Sequence, residues 1–391
     1  MGIQNFYSKH REEQLDGLRG IAALIVMNSH FICAFFPYLN SKFFPEIFGH
    51  SNSNSYLIKF LQSPPVSIFF NGHAAVCVFF VLSGYVLAIP FHQKNLEKLY
   101  LRILSRYLRL NIPILFVTIT SYFFSKLDLY KNSIVSELTG SNWMNYWYEK
   151  SSMNIIEAFR SSIYRGIIFG DDTFVPPLWT LKIEFLASIV LIFYLIITLE
   201  KKQKYTLPFF ILFLIIVFKN EAIYYLLFVG GAFLNYVPNL SKFYSYFLIT
   251  IAFYLISYQD GFYYQFLDNL PINLPLRNLS HGIGSLILVH FIRIGFLNKF
   301  FKSPFNLFLG RISYSSCLLH HLSLCSIVSK IYLEITPSKY QFIPLYLVYV
   351  FITCLFSSLI LNKIDNYGIS LSKKLSFNIL NFFKIQFNLK I

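Results

Sequence analysis

Apolar residues fall into repeated runs along this chain, and short polar segments separate them. The hydrocarbon core of a bilayer is about 30 Å thick, and a helix of about 20 apolar residues crosses it. The runs occupy about 17–38, 73–91, 107–127, 178–199, 206–219, 222–237, 243–258, 280–298, 307–331 and 341–362. This pattern predicts an all-α, polytopic membrane protein with about ten transmembrane helices, of which the fifth to seventh are short.

Lysine and arginine are concentrated in alternate connecting segments. An excess of basic residues marks cytoplasmic loops, which assigns three loops and the tail to that side, at about 94–106, 201–204, 299–302 and 363–391. The amino-terminal segment, about 1–16, then lies on the same side, so both termini are predicted to be cytoplasmic. We predict one membrane domain over residues 1–391, multi-pass in the inner (plasma) membrane.

Composition changes this picture little, because 55% of the 391 residues are hydrophobic and only 13% are charged. A soluble protein of this length carries about 25% charged residues. The net charge of +15 does not indicate nucleic-acid binding, since the basic residues lie between apolar runs rather than on one patch. The five cysteines stand in apolar context without a CxxC pair, which is typical of small core residues.

The first span contains two ionisable residues, Arg19 and His30. At about 100° per residue their side chains share one helix face and lie about 16 Å apart along the axis. Ionisable groups inside a span are costly and point to function. We interpret Arg19 as an anion anchor and His30 as a general base. The alternative is that Arg19 snorkels to the cytoplasmic interface and His30 is only hydrogen-bonded inside the bundle.

The second span supplies two candidate substrate contacts, His73 and Ser83. His73 stands at its outer end, where it is either a substrate contact or an interfacial histidine. Ser83 and Gly84 form a small-residue notch at which two helices can approach closely. Substrate contact and helix packing therefore both remain open for Ser83.

Arginines recur at helical spacing where the third span begins, at Arg102, Arg106 and Arg109. This spacing predicts one cationic helix face at the cytoplasmic boundary. The planar fork of arginine binds two phosphate oxygens at once, so the face is a candidate anion site. The alternative is the ordinary cytoplasmic excess of positive charge.

The fourth span opens with the motif PLWTLKIE, residues 177–184. Within it, Trp179 is a further candidate substrate contact. Glu184 lies inside the span and needs a partner, for which Lys182, Arg19 or a substrate hydroxyl are the candidates. Glu184 either orients His30, as the carboxylate does in a catalytic triad, or holds a neighbouring span.

Aromatic and histidine side chains mark two further segments. The loop at about 128–177 contains Trp143 and Trp147, which form either an interfacial aromatic belt or a stacking surface for sugar rings, and a helix is predicted over 154–169. In the ninth span His320 and His321 point about 100° apart, so only one of them faces any given site. No metal site is predicted, because the sequence lacks HxxxH spacing and clustered acids.

Together, and in their order along the chain, these segments resemble acyltransferase family 3, the integral membrane acyltransferases that modify bacterial glycans and other acceptors. The resemblance is carried by LDGLRGIAAL with Arg19 and His30, FFVLSGYVL (79–87), RYLRLNIP (106–113), PLWTLKIE (177–184), GRISYSSCLLHH (310–321) and KIDNYG (363–368). These motifs cover essentially the whole chain.

The resemblance implies transfer of an acyl group, most often acetyl, from cytoplasmic acyl-CoA to a hydroxyl of a glycan or glycolipid in the cell envelope. Acetyl-CoA is the expected donor and no metal is implied. The predicted site comprises His30 and Glu184 as catalytic residues, Arg19, Arg102, Arg106 and Arg109 at the donor, and His73, Ser83 and Trp179 at the acceptor. The competing hypothesis is a polytopic transporter or flippase of lipid-linked glycan, which lacks support from a two-fold hydropathy repeat or from paired broken helices.

Overall fold

The computed structural model describes residues 12–48, 55–148, 154–200, 203–238, 240, 242–268, 275–335 and 341–387, and their regular secondary structure is helical, with no strand. The long helices are α1 (Glu13–Phe35), α2 (Gly72–His92), α3 (Leu96–Lys126), α4 (Leu178–Thr198), α5 (Gln203–Phe218), α6 (Ala222–Phe233), α7 (Lys242–Ile256), α8 (Leu276–Arg293), α9 (Pro304–Ser323), α10 (Phe342–Phe356) and α11 (Asn362–Phe387). Each of the ten predicted spans coincides with one of α1–α10, so the all-α prediction is confirmed. The predicted terminal segments and second basic loop lie partly outside the described residues, at 1–11, 201–202 and 388–391.

Seven helical segments of the described chain are long and apolar enough to cross a membrane. The prediction of ten spans exceeds this number by three, because α5 and α6 lie within one such segment, Tyr205–Tyr236, α7 is a shorter apolar helix, and α8 is not among the seven. A 3₁₀ turn at Lys219–Glu221 divides that segment into helices of 16 and 12 residues. At 1.5 Å per residue, each is shorter than the hydrocarbon core. The expectation that the fifth to seventh spans are short is therefore confirmed.

Helix α1 holds the central position, because it packs along α9 and against α2. It meets α9 at two levels, since Gly20 lies against Gly310 and the ring of His30 contacts that of His320. Both contacts join residues 290 positions apart, so α1 and α9 run in the same direction in a fixed register. This register determines which side chains of the two helices face each other.

Glycines allow the closest helix approaches. A Cβ atom added at Gly20 would lie 2.5 Å from the amide nitrogen of Gly310, and one added at Gly17 would clash with the carbonyl of Phe301. Between α2 and α6, a Cβ at Gly84 would clash in the same way with the carbonyl of Phe228. In a bilayer helices associate through such close packing rather than through a hydrophobic driving force. The notch predicted at Ser83 and Gly84 is thus confirmed as a helix crossing.

The segment between α3 and α4 contains short helices at Asn132–Thr139, Asn142–Asn145 and Ile155–Arg160, the last of which continues as a π-helix over Ser161–Phe169. The helix predicted over 154–169 is therefore confirmed. Two hydrogen bonds fix the aromatic part of this segment, since Asn132 donates to the carbonyl of Trp147 at 2.8 Å and Ser141 donates to that of Cys33 in α1 at 2.6 Å. The tryptophans are consequently held over the carboxyl-terminal part of α1.

Candidate active site

One cavity of about 1150 Å³ lies between these helices. It is lined by every residue that the sequence analysis selected, namely Arg19, His30, His73, Ser83, Arg102, Arg106, Arg109, Trp179 and Glu184. Its volume slightly exceeds the 300–1,000 Å³ of ordinary ligand pockets. The predicted shared face of Arg19 and His30 is confirmed, because both side chains line this one space.

Basic side chains are grouped where α1 and α9 begin, and we name Arg19, Arg102, Arg109, Arg311 and Lys373 the cationic end of the cavity. Arg19 pairs with Asp16 at 3.3 Å, and Arg102 donates to the carbonyl of Val86. Arg109 and Arg311 are both exposed. Within the described residues neither of these two side chains makes a hydrogen bond or ion pair, so their guanidinium groups are available to an anion.

Arg106 lines the cavity together with Arg102 and Arg109, but its charge is already paired inside the protein. Its side chain is 7% exposed and forms an ion pair with Glu184, while its Nε donates to Ser188 at 2.8 Å. The half-buried carboxylate of Glu184 on α4 neutralises Arg106, whereas the ion pairs of the described residues give Arg109 no such partner. This also corrects the predicted partners of Glu184, since its carboxylate binds neither Lys182 nor Arg19.

The ring of His30 is held by the paired histidines of α9. Its Nδ1 lies 2.6 Å from Nε2 of His320, whose Nδ1 lies 3.0 Å from the carbonyl oxygen of Ser316. The ring of His321 meets that of His30 edge-on, with centroids 5.5 Å apart. Only His321 lines the cavity, as the 100° separation predicts, while His320 approaches His30 from behind.

Three aromatic side chains, Trp143, Tyr146 and Trp147, line the cavity beside His30, and we name them the aromatic end. The rings of Trp143 and His30 have centroids 5.2 Å apart, and Trp147 contacts His321 at 4.9 Å. Nε1 of Trp147 and Nε2 of His321 are buried and make no hydrogen bond within the described residues. A buried polar atom without a partner costs about 1–3 kcal/mol, so this wall is arranged to receive a ligand with polar atoms.

The sequence of this chain matches a family described as an acyltransferase domain over residues 12–362. The chain belongs to the acyltransferase family. A 211-residue segment is 28% identical to the O-acetyltransferase PaAT-1 of Phomopsis amygdali and covers 48% of this chain and 40% of that protein. The chain thus matches less than half the length of this curated relative. No solved structure matches it significantly.

In this member of the acyltransferase family His73 is more enclosed than an interfacial histidine. Its Nε2 lies 2.9 Å from the hydroxyl of Tyr224 and its Nδ1 lies 2.7 Å from Nδ1 of His281. His281 is buried and is further bound by Asn71, 2.9 Å away. Trp179 stands beside the same tyrosine, with ring centroids 6.2 Å apart. His73 and Trp179 therefore form part of an ordered wall, with both nitrogens of His73 already in contact with protein atoms.

The sequence analysis did not select two residues that lie in or next to the cavity wall. Arg311 adds an exposed arginine to the cationic end, and His320 contacts His30 without lining the cavity. The sequence does contain a signal for the contact of His320 with His30, because His30 follows Gly20 by ten positions and His320 follows Gly310 by ten positions. Within the described residues no group of three or more His, Cys, Asp or Glu side chains could hold a metal ion.

Proposed function

We propose that this protein is a membrane O-acyltransferase that moves an acyl group, in the first instance acetyl, from acyl-CoA to a hydroxyl of a glycan or glycolipid. The observation that carries the proposal is one cavity with His30 between a cationic end and an aromatic end. Such a cavity can hold an anionic donor and a ring-bearing acceptor at the same time. The cationic end lies on the side predicted to be cytoplasmic, where acyl-CoA is found.

Donor binding follows from the charges at the cationic end. The phosphate groups of CoA suit Arg109 and Arg311, because arginine forms paired hydrogen bonds to phosphate oxygens. Arg19 stands about 16 Å from His30 along α1. The extended pantetheine arm of CoA spans a distance of this order, which would bring the thioester to the histidine.

Chemistry at His30 requires a bare ring nitrogen next to the acceptor hydroxyl. Nδ1 of His30 is in contact with His320, which leaves Nε2 for the substrate. In the proposed step Nε2 removes the hydroxyl proton while the oxygen forms a bond to the thioester carbonyl carbon. The carbon–sulfur bond then breaks, and the thiolate of CoA takes the proton back from His30. An ester and free CoA are the products.

Glu184 is assigned a structural role in this proposal, because its carboxylate is paired with Arg106. The ion pair joins α3 to α4 at the cavity wall and keeps Arg106 neutralised inside the protein. The acceptor is placed at the aromatic end, where the faces of Trp143 and Trp147 suit stacking against a sugar ring. That PaAT-1 is named an O-acetyltransferase supports oxygen as the acceptor atom and acetyl as the acyl group.

The test uses purified protein in lipid nanodiscs with acetyl-CoA labelled in its acetyl group. Release of free CoA and transfer of label would be measured for the wild type, for His30→Gln and for the control His290→Gln. His290 is a buried histidine of α8 whose ring nitrogens have no partner within the described residues and which does not line the cavity. Loss of a general base lowers turnover by about 10²–10⁴-fold, so we expect that loss in His30→Gln alone.

Equal turnover in His30→Gln and the wild type would refute the role of His30. If the wild type bound neither acetyl-CoA nor longer acyl-CoAs, the donor assignment would fail and transport of a lipid-linked glycan would become the better explanation.

A further inference from the structure

The hydrogen positions in the His320 ring follow from its contacts. Nδ1 of His320 is 3.0 Å from the carbonyl oxygen of Ser316, one turn earlier in α9. A carbonyl oxygen can only accept a hydrogen bond, so this nitrogen carries the hydrogen. The side chain of His320 is fully buried, and within the described residues no carboxylate pairs with it. A buried charge without a partner is costly, so the ring is neutral and its Nε2 is a bare acceptor.

This acceptor fixes the tautomer of His30. Nε2 of His320 lies 2.6 Å from Nδ1 of His30. Since Nε2 carries no hydrogen, Nδ1 of His30 must be the donor, and the other nitrogen of His30 is left bare. The two rings are almost coplanar, at 6°, with centroids 4.9 Å apart. That separation equals the nitrogen–nitrogen contact plus one ring radius on each side, so the rings meet edge to edge in a straight hydrogen bond.

We propose that His320 is a positioning residue for acyl transfer, which accepts the Nδ1 hydrogen of His30 and presents the bare Nε2 to the cavity. The proposal rests on the proposed function of His30 as the base. In a catalytic triad a carboxylate fixes the tautomer of the histidine and also stabilises its charged form. A neutral imidazole supplies only the first effect. His320 is in turn held by the backbone of α9, so the arrangement exists before any substrate binds.

The functional test compares His320→Leu, which removes the acceptor atom, with His320→Gln, whose amide oxygen can accept the same hydrogen. We expect kcat to fall about 100-fold in His320→Leu. Removing a group that orients a metal-ligating histidine costs about 10–100-fold, and a wrong tautomer in a catalytic triad costs about 10⁴-fold. The expected loss of kcat is at the upper end of the first range and well below the second. His320→Gln should recover most of that loss, and both variants should keep the KM for acetyl-CoA. His290→Leu is the matched control and should keep the wild-type kcat.

A second measurement does not depend on activity. In protein labelled with ¹⁵N-histidine, the two ring nitrogens of His30 have different chemical shifts when only Nδ1 carries hydrogen. The signals are assigned by their loss in His30→Gln. We expect one tautomer in the wild type and in His320→Gln, and a mixture or the opposite tautomer in His320→Leu.

The proposal is overturned if His30 shows the same tautomer in His320→Leu as in the wild type. It is also overturned if the leucine and glutamine variants lose kcat equally while both remain folded, since a packing role predicts equal losses. If the tautomer changes as expected but the wild type transfers no acyl group, the contact stands and the proposed function fails. If His320→Leu does not fold, the spectrum and kcat of His320→Gln decide, because a mixed tautomer in that variant contradicts the proposal.

Discussion

Replacing Gly20 with alanine tests how the helix crossing supports the site. The added Cβ would lie 2.5 Å from the amide nitrogen of Gly310, 2.7 Å from Cβ of Leu309 and 2.8 Å from the carbonyl oxygen of Asn306. Ordinary contacts begin at 3.4 Å, so α1 and α9 must separate by about 0.9 Å (3.4 − 2.5). None of these three atoms can rotate away, because all belong to the backbone or are attached directly to it.

The energy cost can be worked from this separation. Overpacking a close contact costs about 1–3 kcal/mol, and a gap of about 0.5–1 Å forfeits a quarter to a half of the dispersion energy of the atoms it parts. Alanine gains about 0.5–1 kcal/mol over glycine inside a helix. We therefore expect Gly20→Ala to lower the free energy of unfolding by about 2 kcal/mol, which is about a 30-fold change in the folding equilibrium.

The same displacement should reach the reacting groups. Transmitted along α1, it would lengthen the contact of His30 with His320 from 2.6 Å to about 3.5 Å (2.6 + 0.9), beyond hydrogen-bond range. A misplacement of about 1 Å can cost 10²-fold in rate. The measurements are a denaturant titration of detergent-solubilised protein and the rate of CoA release.

Gly368→Ala is the matched control for this crossing. Gly368 is a buried glycine of α11, where the new Cβ would meet Ile112 at 3.3 Å and needs only a small adjustment. We expect it to keep the rate of the wild type and to change the free energy of unfolding by no more than about 1 kcal/mol, since the gain of alanine over glycine is offset by the tight contact. If Gly20→Ala were as stable and as active as Gly368→Ala, the reasoning that the α1–α9 register positions His30, the proposed base, would be refuted.

Three further predictions concern the cavity wall. Glu184→Gln should lower the stability by about 3 kcal/mol, because it leaves Arg106 buried and unpaired. The double variant Arg106→Met with Glu184→Leu should recover most of this loss in thermal melting. If Glu184→Gln melts like the wild type, the ion pair does not stabilise the protein. Arg311→Gln should raise the Kd for acetyl-CoA about 10-fold or more by isothermal titration, since a hydrogen bond to a charged group contributes about 1.5–3 kcal/mol. The control Lys330→Gln, an exposed lysine in the short helix Ser329–Ile335 that follows α9, should leave that Kd unchanged. Trp147→Phe removes a buried N–H that has no partner among the described residues. We therefore expect unchanged or higher stability without acceptor, but a higher KM for the acceptor. A lower stability with an unchanged KM would show that the indole serves packing instead.

Much of the architecture could be predicted from the sequence, because apolar runs of spanning length leave few alternatives to helices. The shared face of Arg19 and His30 also followed from spacing alone, since both residues lie on one continuous helix. The fused segment containing α5 and α6 was harder to interpret, because runs of 16 and 12 helical residues are too short to decide between two crossings and one bent element.

Partners on different helices could not be predicted in the same way. Spacing placed Arg106 on a face with Arg102 and Arg109, and all three line the cavity, but spacing did not show that Arg106 pairs with Glu184 on α4. Helical periodicity gives the angle between residues on one helix but does not determine how a helix is turned towards its neighbour. The sequence analysis did not select His320 for the same reason, because its contact with His30 depends on the register of two separate spans.

The glycines in the recognisable motifs explain why those motifs accompany the chemistry. In LDGLRG and GRISY, Gly17, Gly20 and Gly310 lie where α1 meets α9 and its preceding turn, and in FFVLSGY, Gly84 lies at the α2–α6 crossing. None of these glycines lines the cavity except Gly310. Gly20 and Gly310 bring the backbones of α1 and α9 close enough for His30 to lie 2.6 Å from His320, while Gly84 allows the separate approach of α2 and α6. Under the proposed function, a chain could therefore keep these glycines and lose acyl transfer by changing His30 alone, whereas a chain that lost Gly20 would lose the geometry even with both histidines in place.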